Sequence, residues 1–157
     1  MLRYLGGRER LPWETKGRDD AVRLMHRAWQ DVTPGMFGLN SPHRFQEGMD
    51  ALLEEAGSPL RCRVLEVPKA AGSRPDRQAV ADFIAEGLSH DMPVAFLNLH
   101  NGSLLNLERW HWVTLMALDT RDGQLMATAV DNGHTLRLDL DDWLRTTQLG
   151  GGFVACG

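Results

Sequence analysis

Two apolar runs of strand length, residues 112–118 and 124–130, are separated by Thr120-Arg121-Asp122-Gly123. Turn chemistry between such runs leaves little choice but an antiparallel hairpin. His111 opens the first run, within Arg109-Trp110-His111-Trp112-Val113-Thr114-Leu115, and Ala129-Val130-Asp131-Asn132-Gly133 closes the second. With a five-residue loop at 119–123, Leu118 faces Gln124 and His111 falls opposite Asp131. With a four-residue loop at 120–123, the register moves by one and His111 faces Asn132. Directly opposed side chains have Cβ atoms about 4.5–5.5 Å apart, within hydrogen-bonding reach for these groups. Asp131 is favoured, because its parity matches Leu125, Ala127 and Ala129; Asn132 stands as the alternative orienter. Either oxygen acceptor holds an imidazole in one tautomer.

A histidine oriented by a strand-borne Asp or Asn is what a cysteine-nucleophile enzyme needs as its general base. The plainer reading is a histidine at the edge of the core, hydrogen-bonded to a turn. Neither cysteine of the chain stands where a nucleophile is expected. Cys62 lies in an apolar strand-like stretch and reads as a small buried hydrophobe, and Cys156 is one residue from the end. Two cysteines at this spacing form neither a disulfide framework nor a zinc motif.

A chain of 157 residues is long enough for one domain. Its 43% hydrophobic and 24% charged residues are ordinary globular values. A net charge of −4 with no Lys/Arg cluster excludes the basic footprint of a nucleic-acid binder. No apolar segment reaches the length of a membrane span, and Met1-Leu2-Arg3-Tyr4-Leu5 lacks the pattern of a secretory signal.

Helices dominate the first half. Met1, Leu2, Tyr4 and Leu5 look like the last turn of an amphipathic helix stopped by Gly6-Gly7. So short a helix does not nucleate alone, so either its start is frayed or the helix properly begins upstream of Met1. Asp19 or Asp20 is expected to cap a helix with Val22, Met25, Ala28 and Trp29 on one face, followed by a loop at 33–38. Ser41-Pro42 opens the next helix, a capping Ser followed by Pro at the first helical position. Its stripe is Phe45, Met49, Leu52, Leu53 and Ala56, and Gly57 ends it. A strand at 61–67 and a third helix at 76–88 follow.

The second half reads as strands. The continuous apolar run at 93–99 suggests a strand covered on both faces. After the hairpin come a strand at 134–140, one helical turn at 141–144 and a last strand at 152–156. Helices followed by a meandering antiparallel sheet define an α+β domain.

That order of elements, with His111-Trp112-Val113-Thr114 and Val130-Asp131-Asn132-Gly133, resembles the C39-like bacterial cysteine peptidase family of papain-like fold. The similarity extends over residues 1–154, with Trp143 at the aromatic position that follows the Asp motif and Phe45 leading the second helix. The resemblance implies a single papain-like domain over 1–157, His111 as general base, Asp131 as its orienter and a peptide or protein substrate. It implies no cofactor. In the family a Cys-Gly-Pro-like motif precedes the helix end that Leu2-Arg3-Tyr4-Leu5-Gly6 resembles, so the nucleophile would lie before Met1. A fragment or mis-assigned start, a degenerate binding domain without its Cys, and coincidence each account for that. As printed, the chain is expected to have no thiol protease activity.

Two further classes compete. A non-catalytic peptide-binding module of the same fold would keep a cleft between helices and sheet, with Asn98, Trp110 and Trp112 as candidate lining residues. A metal site would draw on His100, His111, Asp131 and His134, but their spacing matches no zinc pattern, so none is expected. Asn98 and Asn106 are also candidates for an oxyanion amide, with a strand-edge role the simpler reading of Asn98. His26, His43 and His90 are expected to be solvated.

Overall fold

A computed structural model describes residues 17–32 and 38–157. The helix end expected at 1–7 and nearly all of the loop expected at 33–38 lie outside the described residues. Among the described residues two helices come first, α1 (Arg18–Asp31) and α2 (Pro42–Glu55), then strand β1 (Cys62–Val67) and helix α3 (Arg77–Ser89). Strands β2 (Val94–Asn98), β3 (His111–Asp119), β4 (Met126–Asp131) and β5 (His134–Asp139) follow, then helix α4 (Leu140–Thr146) and strand β6 (Gly151–Cys156). The architecture is α+β, with one six-stranded, wholly antiparallel sheet.

Local signals set most of these boundaries. Ser41 caps α2 by accepting from the Arg44 N–H, and Pro42 takes the first turn, where its missing donor costs nothing. Asp76 caps α3 through the Ala79 N–H at 2.8 Å, and Asp139 caps α4 through Asp142 N–H at 2.9 Å. Helix α1 departs from expectation. It starts after Gly17 with no side-chain cap, and its apolar residues split between two sides. Leu24 and Ala28 pack inward, whereas Val22, Met25 and Trp29 are exposed.

The sheet is not a simple meander. Its order is β1-β6-β2-β3-β4-β5, so β2 to β5 run as consecutive neighbours and β6 inserts between β1 and β2. Every residue of β2 and of β6 is buried, as central strands with both faces covered should be.

Alternation along the strands builds two cores. On one face Val67, Phe96, Val113, Leu115, Ala127, Ala129, Leu138 and Phe153 pack against Val80 and Ile84 of α3 and Trp143 of α4. On the other, Cys62, Ala95, Val154 and Cys156 pack against Met49, Leu52 and Leu53 of α2. Cys62 and Cys156 are direct register partners across β1 and β6 and form a disulfide 94 residues apart in sequence. Cys62 is buried as expected and Cys156 is buried with it, and their pairing corrects the reading of two cysteines that form no disulfide. Nothing in their spacing signals it, because the pairing follows from where β6 inserts.

Candidate active site

His111 is the first residue of β3 and Asp131 the last of β4, so both stand at one end of the sheet. His111 Nε2 lies 2.8 Å from Asp131 Oδ1, with the two side chains 27% and 18% exposed. Facing a carboxylate, Nε2 donates its proton. Nδ1 is thereby left with a lone pair, and it has no hydrogen-bond partner among the described residues. A half-buried imidazole held in one tautomer with its other nitrogen open has the form of a general base.

The pair forms by a different route from direct opposition. A bulge at Met116 breaks the β3–β4 ladder, which runs from Asp119↔Met126 through Leu118↔Ala127 to Ala117↔Thr128 and resumes as Leu115↔Ala129 and Thr114↔Val130. Continued by one step, that register sets Val113 opposite Asp131 and leaves His111 diagonal to it, within reach of long polar side chains. The connection is longer than either expected loop, since strand pairing ends at Asp119 and restarts at Met126. Parity was the sounder guide: Asp131 shares a face with buried Ala127 and Ala129.

Asn132, the alternative orienter, is exposed and has no bond to His111. Its φ of 47°, with 82° at Gly133, makes the tight β4–β5 turn in which both central residues take positive φ. That turn fixes where β4 ends and so where Asp131 stands. His134, its register partner across the turn, is exposed.

The candidate cleft residues disperse. Trp112 points to the face opposite His111, stacks on Phe45 with ring centroids 4.5 Å apart and donates its indole N–H to Leu39 C=O at 2.6 Å. Trp110 is 54% exposed and takes a positive φ of 56° just before His111. Asn98 is fully buried and lines no cleft. Its amide nitrogen donates to Glu108 C=O, and its Oδ1 accepts from Trp143 Nε1 at 2.8 Å. Its Oδ1 and one of its two amide N–H groups are therefore engaged. Asn106 is exposed and donates to Arg137 C=O at 2.8 Å. The Asn98–Trp143 bond is the feature sequence reading missed, since no spacing links residues 45 positions apart.

The remaining histidines do not join the pair. His100 is buried, and its Nδ1 accepts from the Gly102 N–H at 3.0 Å and the Gln148 N–H at 3.3 Å. His26, His43 and His90 are exposed. No group of three or more His, Cys, Asp or Glu suited to a metal ion occurs among the described residues. Cys62 and Cys156 are buried in a disulfide on the opposite face of the sheet from His111. An open depression of about 380 Å³ adjoins Asp131, walled by Leu105, Leu107, Glu108, Asn132, His134 and Leu136. No helix of the described residues is long and apolar enough to cross a membrane. No known protein family, curated protein or solved structure matches the chain.

Proposed function

We propose that the chain is a papain-like, C39-like cysteine peptidase-type domain in which His111 is the general base and Asp131 its orienter. The observation that carries this reading is the 2.8 Å Nε2–Oδ1 bond, with no described residue bonded to Nδ1. In that arrangement Nδ1 takes a thiol proton, the thiolate attacks a peptide carbonyl, and the imidazolium returns the proton to the leaving amine. Asp131 holds the ring and stabilises its charged form. Both cysteines of the chain are tied in the disulfide, so the thiol must come from outside these 157 residues, and the chain as it stands has no thiol chemistry.

The test begins with the gene. Codons in frame ahead of Met1 that encode a Cys-Gly pair about two helical turns upstream, on the helix pitch, would supply the nucleophile. The extended protein is then expected to cleave peptides and to lose that activity in His111→Ala; retained turnover in the variant would overturn the assignment.

A second reading, a non-catalytic peptide-binding module of the same fold, draws on the pairing of both cysteines in a disulfide and on the open depression beside Asp131, where Leu105, Leu107 and Leu136 stand among polar residues. Titration calorimetry of the chain with unstructured peptides is expected to give micromolar binding if it holds, and no heat if it does not.

A further inference from the structure

His111 is delivered by the twelve residues between β2 and β3, 99–110. A connection of that length is ordinarily adaptable, yet a general base must be placed to within a fraction of an ångström. What holds this loop is a buried clasp. Trp143, on α4 and fully buried, aims its indole N–H at two acceptors, Asn98 Oδ1 at 2.8 Å and His100 C=O at 3.0 Å. The second acceptor is the start of the loop, and Thr147 Oγ1 donates to the same carbonyl at 2.7 Å. From Asn98 the clasp continues to the far end of the loop, where the amide nitrogen meets Glu108 C=O.

Asn98 thus stands on both sides of an unfavourable backbone turn. Its side chain holds Glu108, its backbone is the register partner of His111, and between them lies Trp110 at a φ of 56°. A side-chain-bearing residue adopts that conformation only where its flanks impose it. The loop's middle is seated too. Gly102, at a φ of 60°, lies so close to α4 that a Cβ there would stand 3.1 Å from the Thr146 carbonyl carbon, and Ser103 N–H donates to Thr146 Oγ1 at 3.0 Å.

We propose that Asn98 and Trp143 are positioning residues for the His111–Asp131 pair, a buried clasp that pins both ends of the 99–110 loop and thereby sets where the imidazole points. Its functional meaning rests on the reading of His111 as a base; its structural test does not.

The test is nuclear magnetic resonance of the 157-residue chain with ¹⁵N-labelled histidine, following the His111 ring. The unaltered protein is expected to show one Nε2–H tautomer with a protected proton. Trp143→Phe keeps a ring against Phe96 and Phe153 but deletes both donated bonds, and Asn98→Leu deletes the link to Glu108 at similar volume. In either, the expected result is a mixed tautomer and roughly tenfold faster exchange of the His111 proton, as local opening grows easier. Ile84→Val, in the same core and remote from the loop, is the comparator: it lowers the melting temperature and leaves the His111 signals in place.

Wild-type His111 signals in a folded Trp143→Phe or Asn98→Leu protein would overturn the proposal. So would an equal response to Ile84→Val, which would mean general loosening. Should one clasp variant fail to fold, the other decides. If the clasp variants release His111 while His111→Ala leaves function intact, the clasp stands and the peptidase reading falls. If His111→Ala abolishes function and the clasp variants leave the ring unmoved, the opposite holds.

Discussion

His111 and Asp131 meet diagonally across β3 and β4, at 2.8 Å, because the bulge at Met116 shifts the ladder by one residue, so that its continuation sets Asp131 opposite Val113, on the face of His111, instead of opposite Thr114. The bulge and the tight turn at Asn132-Gly133 together place the pair, one by displacing β3 and the other by ending β4. The chemistry at the end of this sheet therefore depends on backbone irregularities as much as on the two side chains.

Asp131→Ala removes the acceptor of a partly exposed pair, so its cost to folding is expected to stay within about 1 kcal/mol. Its effect on the ring should be large in kind. With no carboxylate opposite Nε2, ¹⁵N shifts of His111 are expected to report both neutral tautomers instead of one.

Gly133→Ala places a Cβ at a φ of 82°. A loss of about 1 kcal/mol is expected from chemical denaturation, together with a disturbed His111 tautomer, because the turn positions Asp131. An effect on stability alone would separate turn from pair.

Leu115 and Leu105 make a matched contrast. The first is fully buried in the core beneath the site, and the second is 99% exposed. Leu115→Ala is expected to cost about 2–5 kcal/mol through lost transfer and cavity terms, and Leu105→Ala less than about 0.5 kcal/mol. Calorimetric melting of both checks this.

Removal of the Cys62–Cys156 disulfide, by reductant or by paired Ser substitutions, opens a loop spanning 94 residues. A loss of about 2–5 kcal/mol is expected, towards the upper end if unfolded-chain entropy dominates. Melting with and without reductant measures it. An unchanged midpoint would show that the sheet holds without its covalent link.

Asp119, at the far end of β3, accepts hydrogen bonds from the Arg121 side chain and backbone, and its carboxyl is held well below the usual carboxylate range. Because the folded-state value is depressed, any stability it contributes is present above the ordinary carboxylate pKa. That contribution is lost only as pH falls from there through the lowered value. In an NMR titration, Arg121→Gln is expected to return Asp119 towards the ordinary range.

Elements with a local mark were legible in the sequence. Ser41-Pro42 announced its helix, and the unbroken apolar run at 93–99 announced a strand covered on both faces. The His111–Asp131 pairing was legible through parity alone, since the bulge lies on β3 and leaves the alternation of β4 intact while it defeats register counting. What stayed hidden is non-local. Nothing in residues 151–156 says that they lie between β1 and β2, and that placement decides the disulfide. Asn98 gave no sign of its partner because the Trp143 indole reaches it through the core. Helix α1 was misread in its inward face because its apolar residues span more of its circumference than one core contact uses.

The insertion of β6 between β1 and β2 also bears on how the protein is made. During synthesis, β2 to β5 emerge in an order that lets them pair as they appear, while β1 waits without its only neighbour in the sheet. Until residue 156 has cleared the ribosome, two strand edges that will lie deep inside the sheet stand open, a period in which a nascent chain is exposed to wrong partners. The last-made strand completes the sheet from its middle.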